Sequence, residues 1–412
     1  MSWKEKPLGH IASVKGGKRM PKGAHFADTA TPYPYIRVTD LKNGTVDSTE
    51  LKYVKAEDRE RIRRYTISKD DLYITIAGTL GHVGSIPTQL DGAQLTENAA
   101  RISITAKNEV IKEYLCYVLG SQRVQAQLAA HKGKGGGVPK LALFRIESVH
   151  VPLPPVAEQR AIADILDTLD GEISILRKVI AARAERKRGL MQQLLTGLTR
   201  FREFVKSTKQ VNTRYGCFPA DWAAVHIGDV ADEVSGKNDA GRELPVLSCT
   251  KHRGLVNSLE YFGKRIFSAD TSNYKVVRRG DFAYATNHIE EGSIGYQDLH
   301  DTALISPMYT VFRTRAGVDH SFFFKLVKTE LYRHIFEVNT SGSIARRGGL
   351  RWEEFAIIKV FLPSVPEQKR IAAVLEVCDR EIDLLQQQLE ALKEQKRGLM
   401  QKLLTGEIRV NV

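Results

Sequence analysis

A block of 45 residues occurs twice in this chain and constrains the fold more than any other feature. LPPVAEQRAIADILDTLDGEISILRKVIAARAERKRGLMQQLLTG runs from Leu153 to Gly197 and returns as LPSVPEQKRIAAVLEVCDREIDLLQQQLEALKEQKRGLMQKLLTG from Leu362 to Gly406, at an unbroken offset of 209. A register kept over that length means one rigid element used twice. Apolar residues fall at Ile162, Leu166, Leu169, Ile173, Leu176, Ile180, Leu190 and Leu194 in the first copy. The second keeps the seam with Ile371, Leu375, Cys378, Ile382, Leu385, Leu389, Leu392, Leu399 and Leu403. Steps of four and three are those of a heptad seam, so each block is expected to be a long amphipathic helix. At about 1.5 Å per residue each would be a rod on the order of 60 Å. A single helix of this kind would cover its own domain; a narrow seam present twice predicts that the two copies pair.

The ends of both blocks carry helix punctuation. Ser364-Val365-Pro366-Glu367 has capping-box spacing with proline expected at the first helical position, and Glu158 is placed in the first turn of the other copy. Both blocks stop on Thr-Gly, with Gly197 and Gly406 suited to the left-handed residue after a helix.

The remainder of the chain is also doubled, more faintly. Trp3 with Leu8-Gly9-His10-Ile11-Ala12 corresponds to Trp222 with Ile227-Gly228-Asp229-Val230-Ala231, and Lys69-Asp70-Asp71-Leu72 to Arg279-Gly280-Asp281-Phe282. The order is therefore globular region, helix, globular region, helix: residues 1–151, 152–206, 207–360 and 361–412. Strands are expected at 35–38, 72–76, 101–105 and 149–151 and a helix at 110–130. In the second region strands are expected at 281–285, 309–313 and 357–361 and a helix at 321–337. The loops between are where the two regions disagree, a shared scaffold with divergent reading surfaces.

Charge locates the partner. The formal net charge is +13, but residues 1–150 hold 23 Lys+Arg against 15 Asp+Glu, while 207–358 hold 19 against 18. A polyanion would be drawn to the first region by average charge, and to the second only through a segregated face. No stretch approaches a membrane span, and MSWKEKPLGH lacks the apolar core of a signal peptide. Cys116, Cys217, Cys249 and Cys378 form no CxxC pair, which argues against a zinc site or a disulfide framework, and the cytoplasm is the expected compartment.

LPPVAEQRAIADIL and LPSVPEQKRIAAVL, the endings KRGLMQQLLTG and KRGLMQKLLTG, the stretches GKGGGVPKLALFRIESVHVPLP and GSIARRGGLRWEEFAIIKVFLP, and YIRVTDLKNG and LYITIAGTLGHVG together resemble the DNA-specificity subunit of type I restriction-modification systems. The resemblance covers essentially the whole chain. It implies an α+β fold: two tandem α/β target-recognition domains separated by two long helices forming an antiparallel coiled coil, with an internal pseudo-two-fold. It implies that each domain reads half of a bipartite, asymmetric site in double-stranded DNA. The helices would set the spacing and help dock two methyltransferase subunits, which restriction motor-nuclease subunits join. The chain itself would catalyse nothing and hold no cofactor or metal. S-adenosylmethionine, ATP and magnesium are implied for partner subunits alone. The sequence contains no Asn-Pro-Pro-Phe/Tyr or Asp-Pro-Pro-Tyr target-base motif, and its Gly-rich loops at 133–138 and 16–18 lack the spacing of nucleotide-binding motifs.

Phosphate contacts supply affinity, and Arg, Lys, Asn, Gln, Ser and Thr read base edges. In the first domain the candidates are Lys15, Lys18, Arg19, Arg37, Thr39, Lys42, Asn43, Thr79, His82, Lys132, Lys134 and Lys140. In the second they are Lys237, Asn238, Lys251, His252, Arg253, Asn287, His288, Arg346 and Arg347. Any one of them read singly is more simply a solvated charge. On the outward helix faces the repeated KRGLMQ segments nominate Lys187, Arg188, Lys396 and Arg397 for partner docking. A free-standing DNA-binding regulator with a coiled-coil ruler is the alternative function. A stand-alone phosphodiester enzyme ranks last, since neither Asp70-Asp71 nor Glu290-Glu291 recurs beside a third acidic ligand.

Overall fold

The two repeated blocks are two continuous helices, Val156–Leu195 and Val365–Thr405, in a computed structural model that describes residues 3–42, 44–130, 140–234, 236–341 and 349–411. Each helix ends at its predicted glycine: Gly197 has φ +72° and Gly406 φ +76°. A Cβ on Gly197 would also stand 2.5 Å from the Pro219 ring, so glycine is required there by space as well as by backbone conformation.

The chain divides into two compact units that do not follow sequence order. One comprises residues 1–177 with 387–412, the other residues 178–386. Each unit therefore takes one globular region, the near half of one long helix and the far half of the other. Within the first unit Asp170 meets Lys396, and within the second Arg183 meets Glu381 and Lys187 meets Asp379. In each case a position early in one helix meets a position late in the other, so the helices run antiparallel.

The globular regions share one topology. In the first unit an antiparallel sheet orders Ala12–Gly16, Ala99–Ile104, Leu72–Thr75 and Val83–Ser85. A second sheet orders Lys52–Tyr53, Pro34–Ile36, Ala93–Leu95 and Thr66–Ile67, with its central pair parallel. The second unit repeats both orders with Ala231–Glu233, Tyr309–Thr314, Phe282–Ala285 and Ile294–Tyr296, and with Gly254–Asn257, Val246–Thr250, Thr302–Ile305 and Lys275–Arg278. A two-stranded ribbon leads into each long helix, Lys4–Pro7 with His150–Leu153 and Ala223–His226 with Lys359–Leu362. The central strands Leu72–Thr75, Ala93–Leu95, Phe282–Ala285 and Thr302–Ile305 are buried along nearly their whole length, so both of their faces are covered.

Several sequence expectations shift. The helix expected over 110–130 is two helices, Lys112–Gly120 and Gln122–Ala130, and that over 321–337 is His320–Val327 and Glu330–Ser341. The break is chemical: the Ser121 hydroxyl donates to the Val118 carbonyl at 2.6 Å and accepts from Val124 N–H, and Thr329 does the same with Leu326 and Tyr332. Residues 38–40 form a 3-10 turn rather than continuing a strand, and the last strand begins at Lys359 rather than 357.

The seam has two uses. Ile162, Leu166 and Leu403 join the first domain's core, and Leu194, Ile371 and Leu375 the second's, where Phe282, Phe312, Phe322, Phe323, Phe336 and Phe355 pack. Leu169, Ile173 and Leu389 are buried, and Leu176, Ile180, Leu190, Cys378, Ile382, Leu385, Leu392 and Leu399 half-buried. Anchoring the domains takes the ends of a stripe that periodicity alone assigns to the helix pair.

Candidate nucleic-acid interface and helix joints

In the first domain the candidate residues fall into two groups. Lys15 lies one residue before the end of the strand Ala12–Gly16, and Lys18 and Arg19 follow it past Gly17, where Lys18 N–H donates to the Leu95 carbonyl at 2.8 Å. Lys18 lies over the Tyr65 ring at 5.5 Å, and Arg19 pairs with Glu97 at 2.6 Å. The second group surrounds the turn after Thr75. Thr79 and His82 are exposed there, and Lys140 forms an antiparallel bridge with Ala77 beside them. The hairpin bearing Lys42 joins this group because Ser85 N–H donates to the Gly44 carbonyl at 2.9 Å. Lys42 itself pairs with Asp47, and Thr39 is exposed. Arg37 is committed elsewhere, donating to both Asp40 oxygens and to the Glu50 carbonyl. Asn43, Lys132 and Lys134 lie outside the described residues.

In the second domain Lys251, His252 and Arg253 form the exposed tip of a hairpin, and Asn287 and His288 sit on an adjacent exposed loop. Lys328, which sequence reasoning missed, holds these loops together: its ammonium donates to the Lys251 carbonyl at 3.0 Å and the Gly292 carbonyl at 2.6 Å. Burial pushes its pKa down to about 8. Arg333 adds a bond to the Glu290 carbonyl. His288, Glu290 and Glu291 place their ligating atoms within 4.8 Å of one another, so His288 faces carboxylates as well as solvent. Lys237 is exposed, while Arg346 and Arg347 lie outside the described residues.

Asn238 is a correction. It is fully buried, its amide donating to the Arg242 carbonyl at 3.0 Å and accepting from Arg242 N–H at 3.0 Å. A side chain closing its own loop has nothing left for a base edge. Asn238→Ala is expected to lower unfolding stability by about 1–3 kcal/mol through the orphaned backbone groups. The salt dependence of DNA binding should stay unchanged, which parallel urea unfolding and binding titrations would check.

The joints between helices and domains are where the duplication is most literal. Glu158 accepts from Arg409 at 2.6 and 2.8 Å, and Glu367, 209 residues on, accepts from Arg200 at 2.9 and 2.8 Å. Arg409 lies 5.3 Å from the Trp3 ring and Arg200 5.8 Å from that of Trp222. Glu367 thus meets an arginine across the unit instead of taking the capping-box role its spacing suggests. Gln159 and Gln368 repeat a second arrangement, each amide donating to two carbonyls and accepting one N–H: Ile111 for Gln159, Asp319 for Gln368. These glutamines bind the start of each helix to its domain.

Lys187 and Lys396 are the second correction. Lys187 pairs with Asp379, which also accepts from Lys325 at 2.9 Å, and Lys396 pairs with Asp170 at 2.6 Å beneath the Tyr117 ring. They tie helix to helix rather than face outward, because the antiparallel arrangement sets an acidic position of one copy against the basic position of the other. Arg188 and Arg397 remain exposed, and among the described residues each pairs only with the glutamate three residues before it.

The family described as "Type I restriction modification DNA specificity domain" matches residues 1–184 and 219–394, both halves of the duplication. The chain belongs to this family. This specificity subunit is 26% identical over 391 residues to the specificity subunit of the type I restriction enzyme MjaVIII of Methanocaldococcus jannaschii, covering 92% of this chain and 86% of that one. It is 25% identical over 209 residues to the EcoBI specificity subunit of Escherichia coli, covering 51% and 40% of the two chains. Its fold matches a chain of a type I R-M system whose structure concerns complex assembly and conformational transition, with TM-score 0.56, 17% identity and coverage of 99% and 98%. It also matches the S subunit from M. genitalium, with TM-score 0.55, 15% identity and coverage of 98% and 96%. Among the described residues no helix is long and apolar enough to cross a membrane.

Proposed function

We propose that this specificity subunit is the non-catalytic DNA reader of its complex, with each globular domain reading one half of a bipartite, asymmetric site in double-stranded DNA. The observation that carries this reading is the contrast between repeated joints and unlike loops. Glu158–Arg409 and Glu367–Arg200 are equivalent pairs, as are Asp170–Lys396 and Asp379–Lys187, while the loops at 79–82 and 287–292 share neither length nor charge. Like joints suit like partners, and unlike loops suit unlike half-sites.

The helices set the separation of the half-sites and dock two methyltransferase subunits. With Lys187 and Lys396 committed between helices, the docking face falls to Arg188 and Arg397 and to Ile175 and Leu384, equivalent apolar residues exposed to 63% and 65%. S-adenosylmethionine, ATP and magnesium belong to the methyltransferase and motor-nuclease partners, which carry the chemistry.

The test is to coexpress the chain with its cognate methyltransferase and map modified bases across a genome. A bipartite motif with two different halves is expected, and exchanging residues 1–151 for another family member's first domain should change one half alone. An unchanged motif after the exchange would sink the reading. A footprint by the purified chain without a methyltransferase would favour a free-standing regulator.

A further inference from the structure

The first domain contains a recess of about 80 Å³ lined by Lys15, Gly16, Gly17, Arg64, Tyr65, Thr66, Leu95 and Arg101. Three of these residues are cations and none is a carboxylate. They come from three separate segments: Lys15 from Ala12–Gly16, Arg101 from Ala99–Ile104, and Arg64 from the turn entering Thr66–Ile67. Lys15 and Arg101 are register partners on adjacent antiparallel strands, so their side chains leave the same face directly opposite one another. Like charges in that relation destabilise a sheet. Among the described residues none of the three forms an ion pair. Arg101 donates to the Thr66 carbonyl at 2.5 Å, and the nearby carboxylate of Glu97 is held by Arg19.

The second domain has the same sheets and shows that the scaffold does not need these charges. By strand register the positions of Lys15, Arg64 and Arg101 are occupied there by Val234, Tyr274 and Val311. Val311 and Tyr274 are buried, and Val234 N–H donates to the Val311 carbonyl at 2.8 Å. A cross-strand apolar pair in one domain is a cross-strand cation pair in the other. The recess wall is also fixed: a Cβ on Gly17 would fall 2.1 Å from the Thr96 carbonyl oxygen, so only glycine lets the chain turn there and hold Lys15 in place.

We infer that this recess binds one phosphate-type oxyanion, with Lys15, Arg64 and Arg101 as its ligands. The volume is several times that needed for one water, which suits a group of a few heavy atoms. The anion relieves the repulsion built into the strand pair, and planar guanidinium forks match tetrahedral oxyanions. The source of the anion is either a backbone phosphate of bound DNA, an assignment that rests on the function proposed above, or a free phosphate.

Two measurements separate these sources, using Lys15→Gln with Arg64→Gln, and independently Lys15→Val with Arg101→Val, the residues the second domain carries. In the first, thermal unfolding of the full chain is compared in inorganic phosphate and in chloride at equal ionic strength. Phosphate should raise the melting temperature of the parent protein by more than that of either variant, beyond the general stabilisation that phosphate gives any folded protein. In the second, the complex with its methyltransferase is titrated onto DNA across a salt series. One lost phosphate contact makes the slope of log affinity against log salt shallower by about 0.9 and costs about tenfold at 0.1 M, equally for all sequences. A change in the salt slope, with or without phosphate protection, assigns a DNA phosphate. Lost protection with an unchanged slope assigns a free phosphate. Neither change overturns the inference. Failure of the parent complex to select any DNA sequence would count against the proposed function and leave the phosphate measurement intact.

Discussion

Arg200→Met is expected to lower unfolding stability by about 3–5 kcal/mol, the cost of leaving buried carboxylates without their cation. Arg200 pairs with Glu367 at 2.8 Å and with Asp221 at 2.6 Å, and the three side chains are only 8%, 1% and 12% exposed. Arg409→Met removes the equivalent partner of Glu158 but should cost less, because Arg409 is 45% exposed and water screens the pair. Urea unfolding followed by indole fluorescence would check both, since Trp222 and Trp3 pack against the two arginines. Equal costs would show that burial does not govern these joints.

The same joints set an acid limit. Hydrogen bonds from Arg409 hold the Glu158 carboxyl below its usual range. Burial alone would raise Asp221, yet the bonds from Arg200 and Lys206 N–H outweigh it and hold that carboxyl down as well. A carboxylate with a depressed folded pKa contributes stability that is complete above its unfolded pKa, about 4, and that is lost as pH falls through the folded value. Melting temperature should therefore fall steeply below about pH 4 in the parent protein and less steeply in the two arginine variants.

Residues 1–206 expressed alone are expected to form a homodimer. Each compact unit borrows half a helix from the other half of the sequence, so a half-chain has a domain and a helix whose antiparallel partner is missing. A second copy supplies it. Arg200 occupies the position of Arg409, Lys187 that of Lys396 and Gly197 that of Gly406, so Glu158 and Asp170 of one copy meet Arg200 and Lys187 of the other. Sedimentation equilibrium should give twice the half-chain mass at micromolar concentration, and Glu158→Ala, which removes both joints of the symmetric dimer, should weaken it by about tenfold, roughly 1.4 kcal/mol. With the methyltransferase present, such a dimer should direct modification to a site with two identical halves. A monomeric half-chain would mean that the joints depend on features outside the repeated positions.

Much of the architecture is legible without coordinates because it is local or repeated. Heptad spacing, the terminal glycines and the constant offset of 209 identify the two helices to within a few residues. The breaks at Ser121 and Thr329 were missed because a hydroxyl inside a helical pattern either points to solvent or caps a new helix, and periodicity does not separate the two. The candidate interface was legible only as loops. Asn238 carries the right chemistry for a base contact and spends it on Arg242 four residues on. Lys328 looked like one helix lysine among many, yet it organises two loops 77 and 36 residues distant.

What the sequence determined by itself is that two rigid helices recur and that two scaffolds with different loops accompany them. Periodicity is a property of neighbouring residues, and an exact repeat is visible by comparison alone. What the tertiary structure decided is which charge meets which: Lys187 with Asp379 and Arg409 with Glu158 across the antiparallel pair, and Lys15, Arg64 and Arg101 around one recess. Coulombic attraction and desolvation depend on distance in space, and residues 251 apart in the chain come within 2.6 Å only after strands and helices have been placed.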